Sequence, residues 1–169
     1  MSRKRVDFHA DDYGMFRRQS MRILRCKEEG VLTGISILAN GPELEESLAM
    51  LPEDGLELTV HLNLLGGHCA AQAEKVSLLV DENGIFNTGF LKLLLCPLTG
   101  KGRKYRAQIR EEYRAQIMRL MPLIEKTGQP LRVDGHAHWH VLPVCYDAIM
   151  DLMREGMDIR YIRLPSEPF

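Results

Sequence analysis

No run of apolar residues in this chain approaches the roughly 18 that a membrane span requires. The opening Met1-Ser2-Arg3-Lys4-Arg5-Val6-Asp7 has none of the apolar core of a secretory leader. Charge of one sign is missing too: 22 Lys and Arg against 23 Asp and Glu leave a net charge of −1. A basic excess supplies most non-specific affinity for nucleic acid, so neither nucleic acid nor membrane is an expected partner. The four cysteines, Cys26, Cys69, Cys96 and Cys145, lie far apart and form no Cys-x-x-Cys pair. They read as free thiols in a reducing compartment, which predicts a cytoplasmic protein. Internal repeats, low-complexity tracts and a convincing linker are also lacking. What remains, 169 residues that are 45% hydrophobic and 27% charged, predicts one domain over residues 1–169 with a core of its own.

Hydrophobic periodicity gives the order of elements. A first strand is expected over residues 5–10, then a helix over 15–29 with Met21, Leu24 and Cys26 inward and Gly30 ending it. A second strand follows over 32–39, and Asn40-Gly41-Pro42 breaks it before a short helix over 43–50. Residues 56–64 carry the clearest period-two pattern. Leu56, Leu58, Val60 and Leu62 share one face, and Glu57, Thr59, His61 and Asn63 share the other. A short helix is expected over 89–95, and residues 101–106 read as a basic, solvated loop. The longest helix is expected over 106–126, kinked at Pro122. A strand over 131–136, a helix over 143–155 opened by Pro143, and a strand over 159–164 complete the chain. Strands alternating with helices predict βαβ units and a parallel sheet, an α/β fold.

Chemistry gathers at the ends of three of these strands. Asp11 and Asp12 follow the first strand, with Gly14 giving the backbone freedom to turn. Adjacent carboxylates repel, and a divalent metal relieves that when one ligates it and the other stays beside it as an ionised base. The plainer reading of a lone Asp-Asp is a helix cap. His61 near the end of the third strand and His136 at the end of the fourth overturn it, because sites in parallel α/β folds are built at that edge. One carboxylate and two imidazoles suit Zn²⁺ or another first-row ion and are less typical of Mg²⁺. If the backbone stays extended, His136, His138 and His140 point the same way. His138 would then line a substrate pocket and His140 would orient a neighbour or simply pack. Trp139 either offers an apolar platform to a sugar ring or packs. Asn63, two residues beyond His61 on the same face, is a candidate substrate contact. Arg163 either pairs with Asp11 and keeps it charged, or lies on the surface.

His-Ala-Asp-Asp-Tyr-Gly (9–14), Val-His-Leu-Asn-Leu (60–64) and Asp-Gly-His-Ala-His-Trp-His (134–140) resemble the three signature stretches of the YdjC-like carbohydrate deacetylases. Their order and spacing fit, as does Arg160-Tyr161-Ile162-Arg163-Leu164-Pro165, so the resemblance covers essentially the whole chain. It implies a parallel-stranded, distorted (β/α) barrel of the polysaccharide-deacetylase type. It also implies one divalent ion, Mg²⁺ or Zn²⁺, and removal of acetyl groups from N-acetylated sugars or oligosaccharides. Carried over by position, Asp12, His61 and His136 become metal ligands and Asp11 the catalytic base. The chain departs from the family in having no His-Pro, the late segment credited with the general acid. It therefore looks like the first two-thirds of such an enzyme. The expectation is an incomplete barrel, a poor or dead deacetylase by itself, and self-association through an uncovered sheet edge. Two rivals stay open: a metal-containing sugar-binding protein that does not hydrolyse, and a metal-dependent hydrolase of another bond such as a phosphoester. The second would want an arginine cluster, for which only Arg160 and Arg163 qualify.

Overall fold

A computed structural model describes residues 6–165 of the protein. Five strands alternate with helices: β1 His9–Tyr13, α1 Arg17–Glu29, β2 Gly34–Ile37, α2 Leu44–Leu48, β3 Glu57–Leu62, α3 Phe90–Leu95, α4 Gly102–Thr127, β4 Leu131–Gly135, α5 Pro143–Arg154 and β5 Ile159–Ile162. All pairings are parallel, and the sheet order is β1-β2-β3-β4-β5. Strictly sequential order is that of a (β/α) barrel wall. A doubly wound sheet would reverse direction once. Right-handed crossovers that always step the same way put every helix on one side of the sheet. Among the described residues the wall does not close, and β1 and β5 each pair on one side only.

Alternation within the strands sorts the two faces. Ile35, Ile37, Leu58, Val60, Leu62, Leu131, Val133 and Ile159 are buried in one continuous cluster with the helices. α4 supplies Ile109, Tyr113, Ile117, Leu120 and Ile124 to it, at the three- and four-residue spacing of a helical stripe. The opposite, concave face carries His9, Ser36, Thr59, His61 and Asp134. Four of these, all but His9, are buried although polar.

Several boundaries differ from expectation, each for a local reason. Residue 5 lies outside the described residues, and β1 begins only at His9, where pairing with Gly34 starts. The register shifts between Ala10 and Tyr13, so Asp11 and Asp12 sit inside the strand, on an irregularity, rather than after it. On α1 the buried residues are Ser20 and Ile23, with Met21 and Cys26 exposed. Ser20 Oγ accepts the Gly14 N–H at 3.1 Å and the Ser47 hydroxyl at 2.9 Å, so a polar tie fixes the helix face. The basic stretch 101–106 is no loop: α4 starts at Gly102, Tyr105 is buried, and Arg106 pairs with Asp147 and Asp151 on α5. α4 runs through Pro122 as one helix of 26 residues.

The loop after β2 is pinned against the exit of β1. A Cβ on Gly41 would lie 2.3 Å from the Gly14 carbonyl oxygen, a backbone atom with nowhere to retreat. Gly41→Ala is expected to destabilise by about 2–3 kcal/mol, seen as a lower urea midpoint at unchanged slope. A midpoint equal to the parent's would show that the two loops can part freely.

Candidate metal centre

The C-terminal ends of β1, β3 and β4 bring three ligand-type groups together. Asp12 has φ 64°, a left-handed conformation that Asp adopts more readily than most residues. Gly14, at φ 95°, then turns the chain toward α1. With the backbone so bent, the neighbouring side chains part: Asp12 meets the histidines and Asp11 meets Arg163. Asp12 Oδ1 lies 3.2 Å from His61 Nε2 and 2.7 Å from His136 Nδ1. The ligand atoms of Asp12, His61 and His136 all lie within 4.8 Å of one another. That set, one carboxylate and two imidazoles with one side toward solvent, fits a first-row divalent ion.

His61 is 2% exposed, and its other ring nitrogen, Nδ1, lies 2.6 Å from Asp134 Oδ1. A carboxylate there fixes the imidazole and leaves Nε2 facing Asp12 and His136. Asp134 is fully buried and is the hub of the centre. Its Oδ2 accepts the Ser36 hydroxyl at 2.6 Å and Arg163 Nη2 at 2.7 Å. The same Arg163 nitrogen reaches Asp11 Oδ1 at 2.7 Å and Oδ2 at 2.8 Å. His9, Asp11 and Asp134 form a second metal-like group, but the guanidinium already stands between its two carboxylates.

Charge follows this geometry. Burial alone would pull the His61 imidazole down, but hydrogen bonds with Asp12 and Asp134 outweigh it and push it up to about 9. The hydrogen bond with His61 holds the Asp12 carboxyl below its ordinary value. Burial works to raise Asp134, yet its bonds with His61, Ser36 and Arg163 leave it lowered. Without metal, a raised imidazole stabilises the fold fully below its ordinary value of 6.5 and ceases to do so as pH climbs through about 9. The lowered carboxylates act oppositely: their contribution is present above their ordinary value of 3.8 and lost as pH falls below it. The melting temperature of chelator-treated protein is therefore expected to fall between about pH 6.5 and 9, and His61→Gln should flatten that fall. An unchanged slope in that variant would remove His61 as its source.

The segment after β4 behaves unlike an extended strand. Residues His136–Val141 form a 3-10 turn, with Ala137 at φ 50° and His138 at φ 59°. The three histidines consequently diverge. His136 turns to Asp12, His138 is exposed, and His140 is buried, its Nε2–H donating to the Arg163 carbonyl at 2.7 Å. Of the two readings open for Trp139 the structure favours packing: it is 8% exposed and meets Phe90 edge-on, ring centroids 6.2 Å apart. Asn63 is buried and employed in its own loop. Its amide donates to Asn40 Oδ1 and the Gly66 carbonyl, and its oxygen accepts the Leu65 N–H. It still borders a cavity of about 290 Å³ beside His136, with Met15, Asn40, Pro42 and Leu65.

Sequence reasoning missed Asp134, Ser36 and His9. Asp134 had a signal, since strand alternation puts it on the face of His136, two residues on. Ser36 had a weaker one, a lone hydroxyl in an otherwise apolar strand.

A barrel-wall α/β fold with an Asp-His-His cluster at its C-terminal edge is the class that fold and site define. The sequence profile of the family described as YdjC-like protein matches residues 5–169, and the chain belongs to that family. Among curated relatives, a carbohydrate deacetylase of Mus musculus is 32% identical over 169 residues, which is 98% of this chain and 52% of the relative. One from Danio rerio is 29% identical over 160 residues, 94% of this chain and 49% of the relative. The chain thus spans about half the length of these relatives. A solved structure from Enterococcus faecalis V583, for which cellobiose-phosphate cleavage is itself only a suggested role, superposes with a TM-score of 0.70 at 24% identity. The match covers 91% of this chain and 57% of that one, and it supports the fold.

Proposed function

We propose that this chain carries the metal-binding half of a carbohydrate N-deacetylase centre. Asp12, His61 and His136 would hold one divalent ion, with Zn²⁺ ahead of Mg²⁺ on donor chemistry. When bound, that ion would lower the pKa of a water and polarise the acetamide carbonyl of an N-acetylated sugar. Asp11 takes the proton from the attacking water; it lies next in sequence to a ligand yet outside the ligand set. Arg163 holds Asp11 in place by its two contacts, and His140 holds the Arg163 backbone. The observation that carries the reading is this division of labour between adjacent carboxylates, one turned to two histidines and one to an arginine. The relatives' names supply the substrate class.

The phosphoester alternative loses ground. Arg163 is engaged by Asp11 and Asp134, and Arg160 pairs with Asp158 away from the centre. Acetate release from N-acetylglucosamine oligomers should be measured at stoichiometric protein, with and without Zn²⁺. Metal-dependent acetate, absent in Asp11→Asn, is the expected result. Metal-dependent sugar binding with no acetate would favour the non-hydrolytic reading instead.

No described helix is long and apolar enough to cross a membrane. The four cysteines are free, which suits the reducing cytoplasm. Among the described residues β1 and β5 each pair on one side only, and self-association through such an edge is part of this proposal. Light scattering that returns a strict monomer at high concentration would exclude that.

A further inference from the structure

We propose that Ser36 and His9 form a positioning pair for the metal centre, acting through Asp134 on His61. The inference rests on the proposed metal site and concerns residues that do not touch it. His9 Nε2 lies 2.7 Å from Ser36 Oγ, and Ser36 Oγ lies 2.6 Å from Asp134 Oδ2. Asp134 Oδ1 in turn lies 2.6 Å from His61 Nδ1. Proton counting sets the direction of every bond. The Asp134 carboxylate accepts only, so the single Ser36 hydroxyl proton goes to it, and His61 Nδ1 must donate. The Ser36 oxygen then has only lone pairs left for His9, so His9 Nε2 carries a proton and donates. The chain reads His9 to Ser36 to Asp134, with His61 donating to the far oxygen of the same carboxylate. Its consequence is a His61 held with Nδ1 protonated and Nε2 free to ligate.

Two independent features show that the chain makes room for this pair. Ser36 is fully buried in a strand whose other side chains are apolar, so its hydroxyl has no solvent to turn to. Two residues before Ser36 on the same strand, Gly34 pairs with His9 and admits its ring: a Cβ there would stand 2.6 Å from His9 Nδ1. Any larger residue at position 34 would displace the imidazole from Ser36. Partners of this kind, one step behind the ligands, typically change metal affinity by about 10–100-fold. Arg163 also holds Asp134 Oδ2, so the lower end of that range is expected here.

The test is Zn²⁺ affinity, measured by chelator competition on the parent and on Ser36→Ala, His9→Phe and His9→Gln. Gln keeps an N–H donor near the place of Nε2 and Phe keeps only the bulk. Ser36→Ala and His9→Phe should each bind Zn²⁺ about tenfold more weakly, and His9→Gln should recover most of the loss. In the zinc-loaded protein, the hydrogen-bonded His61 Nδ1–H proton resonance should exchange faster with solvent in the two weakened variants. A purely structural role would lower the melting temperatures without separating Gln from Phe in Zn²⁺ affinity. If Ser36→Ala fails to fold, the Phe and Gln pair decides alone. Equal affinity in parent and all variants overturns this inference and leaves the metal site standing. A parent that binds no Zn²⁺ overturns the metal site as well.

Discussion

Asp12→Asn should strip the chain of most of its affinity for a divalent ion, while Asp11→Asn should leave that affinity within a few-fold of the parent's. The two residues are neighbours of the same type, so composition alone makes them equivalent. Geometry does not. Asp12 Oδ1 stands within 3.2 Å of both His61 Nε2 and His136 Nδ1, whereas Asp11 is turned to Arg163. An amide at position 12 removes the only anionic donor of the three. Loss of a supporting partner costs about 10–100-fold in affinity, so loss of a ligand should exceed about 100-fold. At position 11 an amide still accepts from Arg163 but no longer takes a proton, so turnover should fall by about 10²–10⁴-fold with metal retained. His136→Ala should follow Asp12→Asn in losing metal. Calorimetric titration with Zn²⁺ and an acetate assay separate the two patterns. The reverse pattern would exchange the roles of the two aspartates, and full occupancy in His136→Ala would remove that residue from the site.

The parts of this centre legible from sequence are those governed by regular periodicity. Period-two alternation over residues 56–64 put His61 on the polar face of β3, and the concave wall shows His61 there, buried beside Asp134. The spacing of Ile109, Tyr113, Ile117 and Ile124 gave the buried stripe of α4. The sheet's parallel character followed from alternation of strand and helix. What escaped was set by local departures from regularity. The irregularity in β1 moved Asp11 and Asp12 into the strand and parted their side chains. Two left-handed residues after His136 scattered three histidines that extended backbone would have aligned. Trp139 is buried in the core and meets Phe90, from an element distant in sequence, edge-on, and no local pattern announces such a contact. The Arg163–Asp11 pairing, across 152 residues, was one of the two readings the sequence left open, but the pairing of Arg163 with its second partner, the buried Asp134, had no local signal.

The hub itself should be the least tolerant position in the wall. Asp134→Asn is expected to destabilise the metal-free protein by about 3 kcal/mol, the low end of the cost of removing one partner from a buried ion pair, since His61 keeps Asp12 and Arg163 keeps Asp11. That is a large share of the roughly 5–15 kcal/mol that holds an ordinary domain together. Three donors converge on this buried carboxylate: Ser36 Oγ, His61 Nδ1 and Arg163 Nη2. An amide offers one acceptor oxygen, and its NH₂ would face at least one N–H or O–H already pointing at it. With Oδ1 kept toward His61, the NH₂ meets Ser36 and Arg163; with the amide flipped, it meets His61. Neither orientation satisfies all three donors, and each unsatisfied buried group carries its own desolvation cost. His61 would also lose one of the two carboxylates that raise its imidazole, so the fall in stability between about pH 6.5 and 9 should become shallower. Urea melts of parent, Asp134→Asn, His61→Gln and the double variant in chelator measure both effects. The double variant should be clearly less destabilised than the sum of the two single ones, because either change breaks the same bond. Strict additivity, or a loss at Asp134 under about 1 kcal/mol, would show that the carboxylate is not the joint through which β3, β4 and the end of β5 are tied.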